Sequence, residues 1–109
     1  KRIIFYKEAK QPELNQINTY FDYLEKLVDG KKFHLLLDLS DCTPPSAELR
    51  YELRKRFKAI EDNIESYSIY IGKNILLRIA VKFIGASLGL KKFKQFESID
   101  KAIAHVNNL

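Results

Sequence analysis

The chain has 109 residues, 46% hydrophobic and 30% charged, with one cysteine and three prolines, which fits a single domain with its own core and excludes a disulfide scaffold. No apolar run reaches the roughly 18 residues that a spanning helix needs, and no secretory leader opens the sequence, so a reducing, cytoplasmic setting is expected. Nineteen basic against fourteen acidic residues give a net charge of +5, a balance that suits anionic partners as well as plain solubility.

Residues 2–6, RIIFY, form a short run of β-formers and predict a strand. Pro12 suits the first turn of a helix, where its missing N–H costs nothing. Leu14, Ile17, Phe21, Leu24 and Val28 then alternate at steps of three and four, which sets them on one helical stripe. Asp29-Gly30 supplies the stop, with the glycine suited to a left-handed cap. The run FHLLLDL, residues 33–39, is apolar without alternation until its end, as in a strand covered on both faces.

Ser40-Asp41-Cys42-Thr43-Pro44-Pro45-Ser46 gathers turn and cap formers. Its prolines forbid a ladder, and Ser46 is placed to cap a second helix. That helix repeats the stripe with Leu49, Leu53, Phe57, Ile60 and Ile64. Residues 66–71, SYSIYI, predict a third strand ended by Gly72. Asn74 is placed to cap a third helix that runs to about Leu88 and stops at Gly89. KKFKQF, residues 91–96, predicts a short edge strand whose lysines discourage pairing with another molecule. Ser98 caps a last helix with Ile99, Ala102, Ile103 and Val106 turned inward.

The order βαβαβαβα predicts an α/β fold over residues 1–109: one layered domain, a mainly parallel sheet of four or five strands with helices packed on it. The chain opens on Lys1 without an initiator methionine, so further residues ahead of it are expected. In such sheets function gathers where strands end and helices begin. Here that means the connections Ser40–Ser46, Gly72–Asn74 and Lys7–Pro12.

Enzyme chemistry finds little purchase. The first strand–helix connection lacks the glycines of a dinucleotide fingerprint, and neither a phosphate-binding GxxxxGK[ST] loop nor a GxSxG elbow occurs. His34 and His105 sit in or beside apolar runs and read as structural; with Cys42 they make no recognisable metal set. Cys42 lies near a helix start but has no base at a recognisable spacing. Asp38 and Asp41 flank a strand end, yet a turn-forming carboxylate explains Asp41 as well. No catalytic residue, metal or cofactor is assigned.

The strand ending LLLDLSD, the Ser-capped helix SAELRYELRKRF, the later strand YSIYIG and the closing FESIDKAIAHV together resemble a known family. This pattern, over residues 33–109, is similar to the STAS domain, named for sulfate transporters and anti-anti-sigma factors, in its stand-alone sporulation-type branch. The resemblance implies a non-enzymatic regulatory module that binds a protein partner, or itself, through the loop and the adjacent helices. In that family a serine of an Asp-Ser-Ser-Gly loop is phosphorylated. Ser46 matches the first serine, whereas Ala47 and Glu48 stand where the family has the second serine and the glycine. Ser46 thus reads either as a phosphate acceptor, with Arg50 one turn on to contact the phosphate, or as a plain N-cap. The interaction candidates are Asp41, Thr43, Pro45, Ser46, Arg50, Arg54, Leu76, Ile79 and Phe83.

The third helix stands apart. From Ile75 to Leu88 it is apolar nearly all round, with only Asn74, Arg78 and Lys82 in a polar stripe. A surface helix needs one apolar face, so a second cover is expected: residues ahead of Lys1, another helix, a second copy, a protein or lipid. Lys91, Lys92 and Lys94 follow, interleaved with Phe93. Apolar surface beside lysines also suits an anionic membrane surface, with Arg78, Lys82, Lys91, Lys92, Lys94 and Phe93 as its contacts. Nucleic acid is not expected, since no recognition helix or RNA-binding strand motif appears.

Overall fold

Four strands, β1 (Ile3–Lys7), β2 (Phe33–Asp38), β3 (Ile64–Tyr70) and β4 (Lys94–Phe96), lie side by side in chain order, and every neighbouring pair is parallel. The helices between and after them are α1 (Leu14–Val28), α2 (Ala47–Ile60), α3 (Ile75–Ser87) and α4 (Ile99–Asn107). The computed structural model describes residues 2–8, 10–73, 75–87, 90 and 93–109, without the side chains of Phe83, Ile84 and Ser87. The cap at Asn74, the helix end at Leu88 and Gly89, and the lysines Lys91 and Lys92 lie outside the described residues, as does the Phe83 side chain. The expected α/β architecture is what the chain forms.

Side-chain alternation divides the sheet into two faces. Ile4, Phe33, Leu35, Leu37, Tyr67 and Ile69 share one face and join Ile17, Phe21, Leu24 and Val28 of α1, Phe57 and Ile60 of α2, and Leu77 and Val81 of α3 in one core. The other face carries Leu36, Ser68 and Phe96, and α4 lies over it through the buried Ala102 and Val106. The Phe96 ring sits 5.2 Å from that of His105. Cover on both faces is why β2 reads as an unbroken apolar run. Since α4 lies over β2, β3 and β4, Ile3 and Phe5 on edge strand β1 remain solvent-exposed.

Local signals set the helix ends. Ser46 caps α2 by accepting the Leu49 N–H at 3.3 Å, and Ser98 caps α4 by accepting that of Lys101 at 3.4 Å. The end of α1 differs from expectation, because Asp29 itself takes the left-handed cap (φ 49°) and Gly30 follows it at φ 67°. Pro12 precedes the helix instead of entering its first turn, since Glu13 is the cap and shares a capping box with Gln16. Ile64 does not extend the α2 stripe: a 3-10 turn at Glu61–Asn63 ends the helix and Ile64 opens β3. In α4, Ile103 faces solvent while Ala102 and Val106 carry the packing.

One polar clasp ties α1 to α2. Arg56 Nη2 lies 2.7 Å from Asp22 Oδ1 and 3.5 Å from Glu25 Oε1, and Nη1 lies 3.3 Å from Asn18 Oδ1. The guanidinium also stands 5.6 Å from the centre of the Phe21 ring, a favourable stacking for a cation.

Gly72 turns the chain from β3 towards α3 with φ 68°, and a Cβ there would meet only Ser40 Cβ, at 3.7 Å. That is ordinary contact, so the cost of a side chain is the left-handed backbone alone. Gly72→Ala is expected to lower stability by about 1 kcal/mol, read as a lower urea midpoint with an unchanged slope.

Candidate functional site

Parallel strands in consecutive order deliver the strand–helix connections to one rim of the sheet. There the three connections singled out from the sequence meet. Lys7 Nζ lies 3.3 Å from Asp41 Oδ2, and both the backbone N–H and the hydroxyl of Thr43 donate to the Lys10 carbonyl, at 3.0 and 3.1 Å. These contacts join the loop after β2 to the one after β1, and Gly72 abuts Ser40 from the third. Buried Asp38 closes the end of β2, its Oδ1 accepting the Ser40 N–H at 3.0 Å and the Ser40 hydroxyl at 2.6 Å. Asp41 is thus an ion-pair and turn residue.

The remaining candidates divide by exposure. Ser46 is exposed, with its oxygen engaged in capping α2. Arg50 is half-buried and donates to the Pro45 carbonyl at 3.2 Å, so in this state it braces the loop. Arg54 is exposed on α2, and Tyr51 near it is 72% exposed. On α3, Leu77 and Val81 reach the core, whereas Ile75, Leu76 and Ile79 are 71, 79 and 62% exposed. Arg78 Nη2 is paired with Glu97 Oε1 at 2.6 Å; Lys82 and Lys94 are exposed. Phe93 is half-buried and packs on the core instead of facing solvent with the lysines. Gly85 admits it, since a Cβ at that position would come within 2.7 Å of the ring.

Below the rim lies a feature that the sequence reading missed, an apolar cavity of about 90 Å³. Leu37, Leu39 and Ile69 line it from the sheet, Phe21, Leu53, Phe57, Leu77 and Val81 from the helices, and Cys42, Thr43, Pro44 and Pro45 from the loop. Its polar wall is Tyr6 and Glu8, with the phenol donating to Glu8 Oε2 at 3.0 Å. Glu8 is only 8% exposed. The signal for it was available, because Ile4, Tyr6 and Glu8 follow period-two parity onto the core face.

Electrostatics favour the protonated form of Cys42. Burial pushes its thiol up to about 12, helped by the negative charges of Glu8, Asp38 and Asp41. A protonated thiol is a poor nucleophile. Burial likewise raises Tyr67 to about 12, with a smaller push from Glu61. Tyr6 is raised further, by burial first and the Glu8 charge second. The histidines hold strands and rings together: His34 Nδ1 is 2.7 Å from Ser66 Oγ, and Nε2 is 3.1 Å from Glu65 Oε2. Among the described residues no group of three or more His, Cys, Asp or Glu side chains could hold a metal ion, and no helix is long and apolar enough to cross a membrane.

Two outcomes follow from the raised acids. At about pH 8, alkylation of Cys42 by iodoacetamide in the native protein should run about a thousandfold slower than that of the unfolded chain. Each of these groups is neutral when protonated and is held above its unfolded value, so its stabilising share is complete below that value and is lost on further rise. Unfolding free energy should therefore stay level to about pH 8 and fall between about pH 9 and 12, as denaturant titrations across that range would record. No family model, curated protein or solved structure matches the chain.

Proposed function

We propose that this protein is a non-enzymatic, STAS-like regulatory module that binds a protein partner at the rim, through the Ser40–Ser46 loop, α2 and the outer face of α3. One observation carries the reading: Ile75, Leu76 and Ile79 stand largely in solvent on α3, at the rim where Gly72 meets Ser40. Contiguous exposed apolar side chains of this size mark an interaction surface. Residues 46–109 hold twelve basic and seven acidic residues, while residues 1–45 hold seven of each. Arg54 and Lys82 are exposed on these helices, so the partner offers an apolar ridge with an acidic border. The contacts among the rim loops favour a preformed surface over one that orders on binding.

Ser46 is exposed at the start of α2, where a phosphate would meet free backbone N–H groups and the helix dipole. Phosphorylation there would add negative charge to a basic surface and weaken an acidic partner's hold.

A second reading, binding to an anionic membrane surface, draws on the same exposed side chains of α3 with Lys82 and Lys94 beside them.

The tests separate the two. Leu76→Glu and Ile79→Glu change exposed positions and should alter stability by no more than about 0.5 kcal/mol. Each should abolish retention of the partner by the immobilised chain, with the interaction then titrated using purified partner. Ser46→Asp keeps a capping side chain and should weaken the same complex. Partner affinity equal to wild type in all three variants would overturn the protein-binding reading. Sedimentation with phosphatidylglycerol vesicles at low salt tests the other; no co-sedimentation removes it.

A further inference from the structure

β1 is an edge strand, with β2 on one side and no strand on the other among the described residues. The opposite edge, β4, is three residues long and opens on Lys94, whereas β1 runs for five residues, IIFYK, with no charge before Lys7. Edge strands that stay single are ordinarily short, charged or bulged. The ladder shows which groups β1 leaves over. The His34 N–H donates to the Arg2 carbonyl at 2.8 Å and the Glu8 N–H to the Asp38 carbonyl at 3.0 Å, so the even residues face β2. Ile3, Phe5 and Lys7 therefore turn their N–H and C=O groups outward. We propose that a second copy of this chain pairs antiparallel with that edge, Phe5 opposite Phe5, and joins the two four-stranded sheets into one.

The register follows from the outward groups. With Phe5 on the two-fold axis, Ile3 of each copy lies opposite Lys7 of the other, and every outward N–H and C=O of the strand finds a partner. The two Lys7 side chains then stand about 14 Å apart, beyond the Debye length of physiological salt, and each keeps Asp41 as its counter-ion. The surroundings of the edge favour a whole second copy over a lone extended peptide. Ile3 and Phe5 are exposed on one face of the sheet, and Tyr20, Tyr23 and Leu27 of α1 are exposed beside residues 4–7 on the other. Because α1 meets α2 through Asn18, Asp22 and Glu25, helical spacing turns Tyr20, Tyr23 and Leu27 away from α2. That row is uncharged, which suits like against like in a chain of net charge +5. A peptide strand covers the edge alone, whereas two-fold symmetry also lays the other copy's α1 against this flank. The five side chains leave on the order of 450 Å² in solvent per copy. Two copies with their strand edges thus reach the roughly 1,000 Å² that a specific interface needs. None of these side chains belongs to the loop, α2 or α3, so this interface stands or falls apart from partner docking there.

Sedimentation velocity of the intact chain should show conversion to twice the monomer mass, with a midpoint on the order of tens of micromolar for an interface near the lower size limit. Tyr23→Glu changes an exposed helix position, and Phe5→Pro removes one outward N–H without touching the ladder to β2. Each should weaken the dimer at least about tenfold, while Leu76→Glu should leave it unchanged. A hydrogen-bonded antiparallel pair holds its Cα atoms about 5.5 Å apart, within reach of a disulfide. Phe5→Cys should therefore cross-link two copies under mild oxidant, and Ile3→Cys should not. The amides of Ile3, Phe5 and Lys7 should exchange slowly only where the dimer forms. The proposal is overturned by a monomer persisting to roughly 1 mM, by undiminished dimer in Tyr23→Glu or a folded Phe5→Pro, or by loss of the dimer in Leu76→Glu. It is equally overturned if Ile3→Cys cross-links as fast as Phe5→Cys, or if those amides are protected in the monomer, which would place another segment on the edge.

Discussion

Four parallel strands in consecutive order are the constraint on which everything else depends. Each β-α-β crossover of one hand places its helix on the same face of the sheet, so α1, α2 and α3 share a single core. Among the described helices, α4 lies on the opposite face. The load is therefore uneven. Three helices crowd one side, while a nine-residue helix covers the other and leaves Ile3 and Phe5 of β1 in solvent. The same order brings the three strand–helix connections to one rim, where backbone and side-chain contacts fasten them together.

That fastening decides what kind of chemistry the rim suits. Ser40 is spent on Asp38, Thr43 on Lys10, Asp41 on Lys7 and Arg50 on Pro45. Groups engaged in this way hold the shape of the rim. Cys42 is the residue most open to a catalytic reading, and its surroundings run against one. Low exposure and three nearby carboxylates favour the thiol, whereas a nucleophile needs the thiolate.

How much of this the sequence disclosed depends on which physical signal was read. Periodicity located α1 and the two-sided burial of β2, because both patterns record solvent cover directly. Capping chemistry located Ser46 and Ser98. The expectations for Pro12, from its helix-start preference, and for Ile64, from the apolar stripe, failed where the boundaries turn on a capping box and a 3-10 turn that neither signal encodes. Ile103 looked inward on spacing, yet α4 has too small a sheet face beneath it to bury four apolar residues. Glu8 was passed over because a charged residue just past a strand reads as loop. Its parity with Ile4 and Tyr6 pointed to the core, and its N–H, donating to the Asp38 carbonyl at 3.0 Å, extends the β1–β2 ladder by one residue. The cavity was illegible in principle, since it is the space left between α3 and its neighbours.

The apolar excess of α3 now has a geometric meaning. Its inward residues, Leu77 and Val81, border the cavity, and its outward residues, Ile75, Leu76 and Ile79, face solvent. Burying a large aliphatic side chain is worth about 1.5–3 kcal/mol, so the exposed side of this helix forgoes stabilisation that a cover would supply. The cavity-lining and the solvent-facing side chains thus belong to one helix.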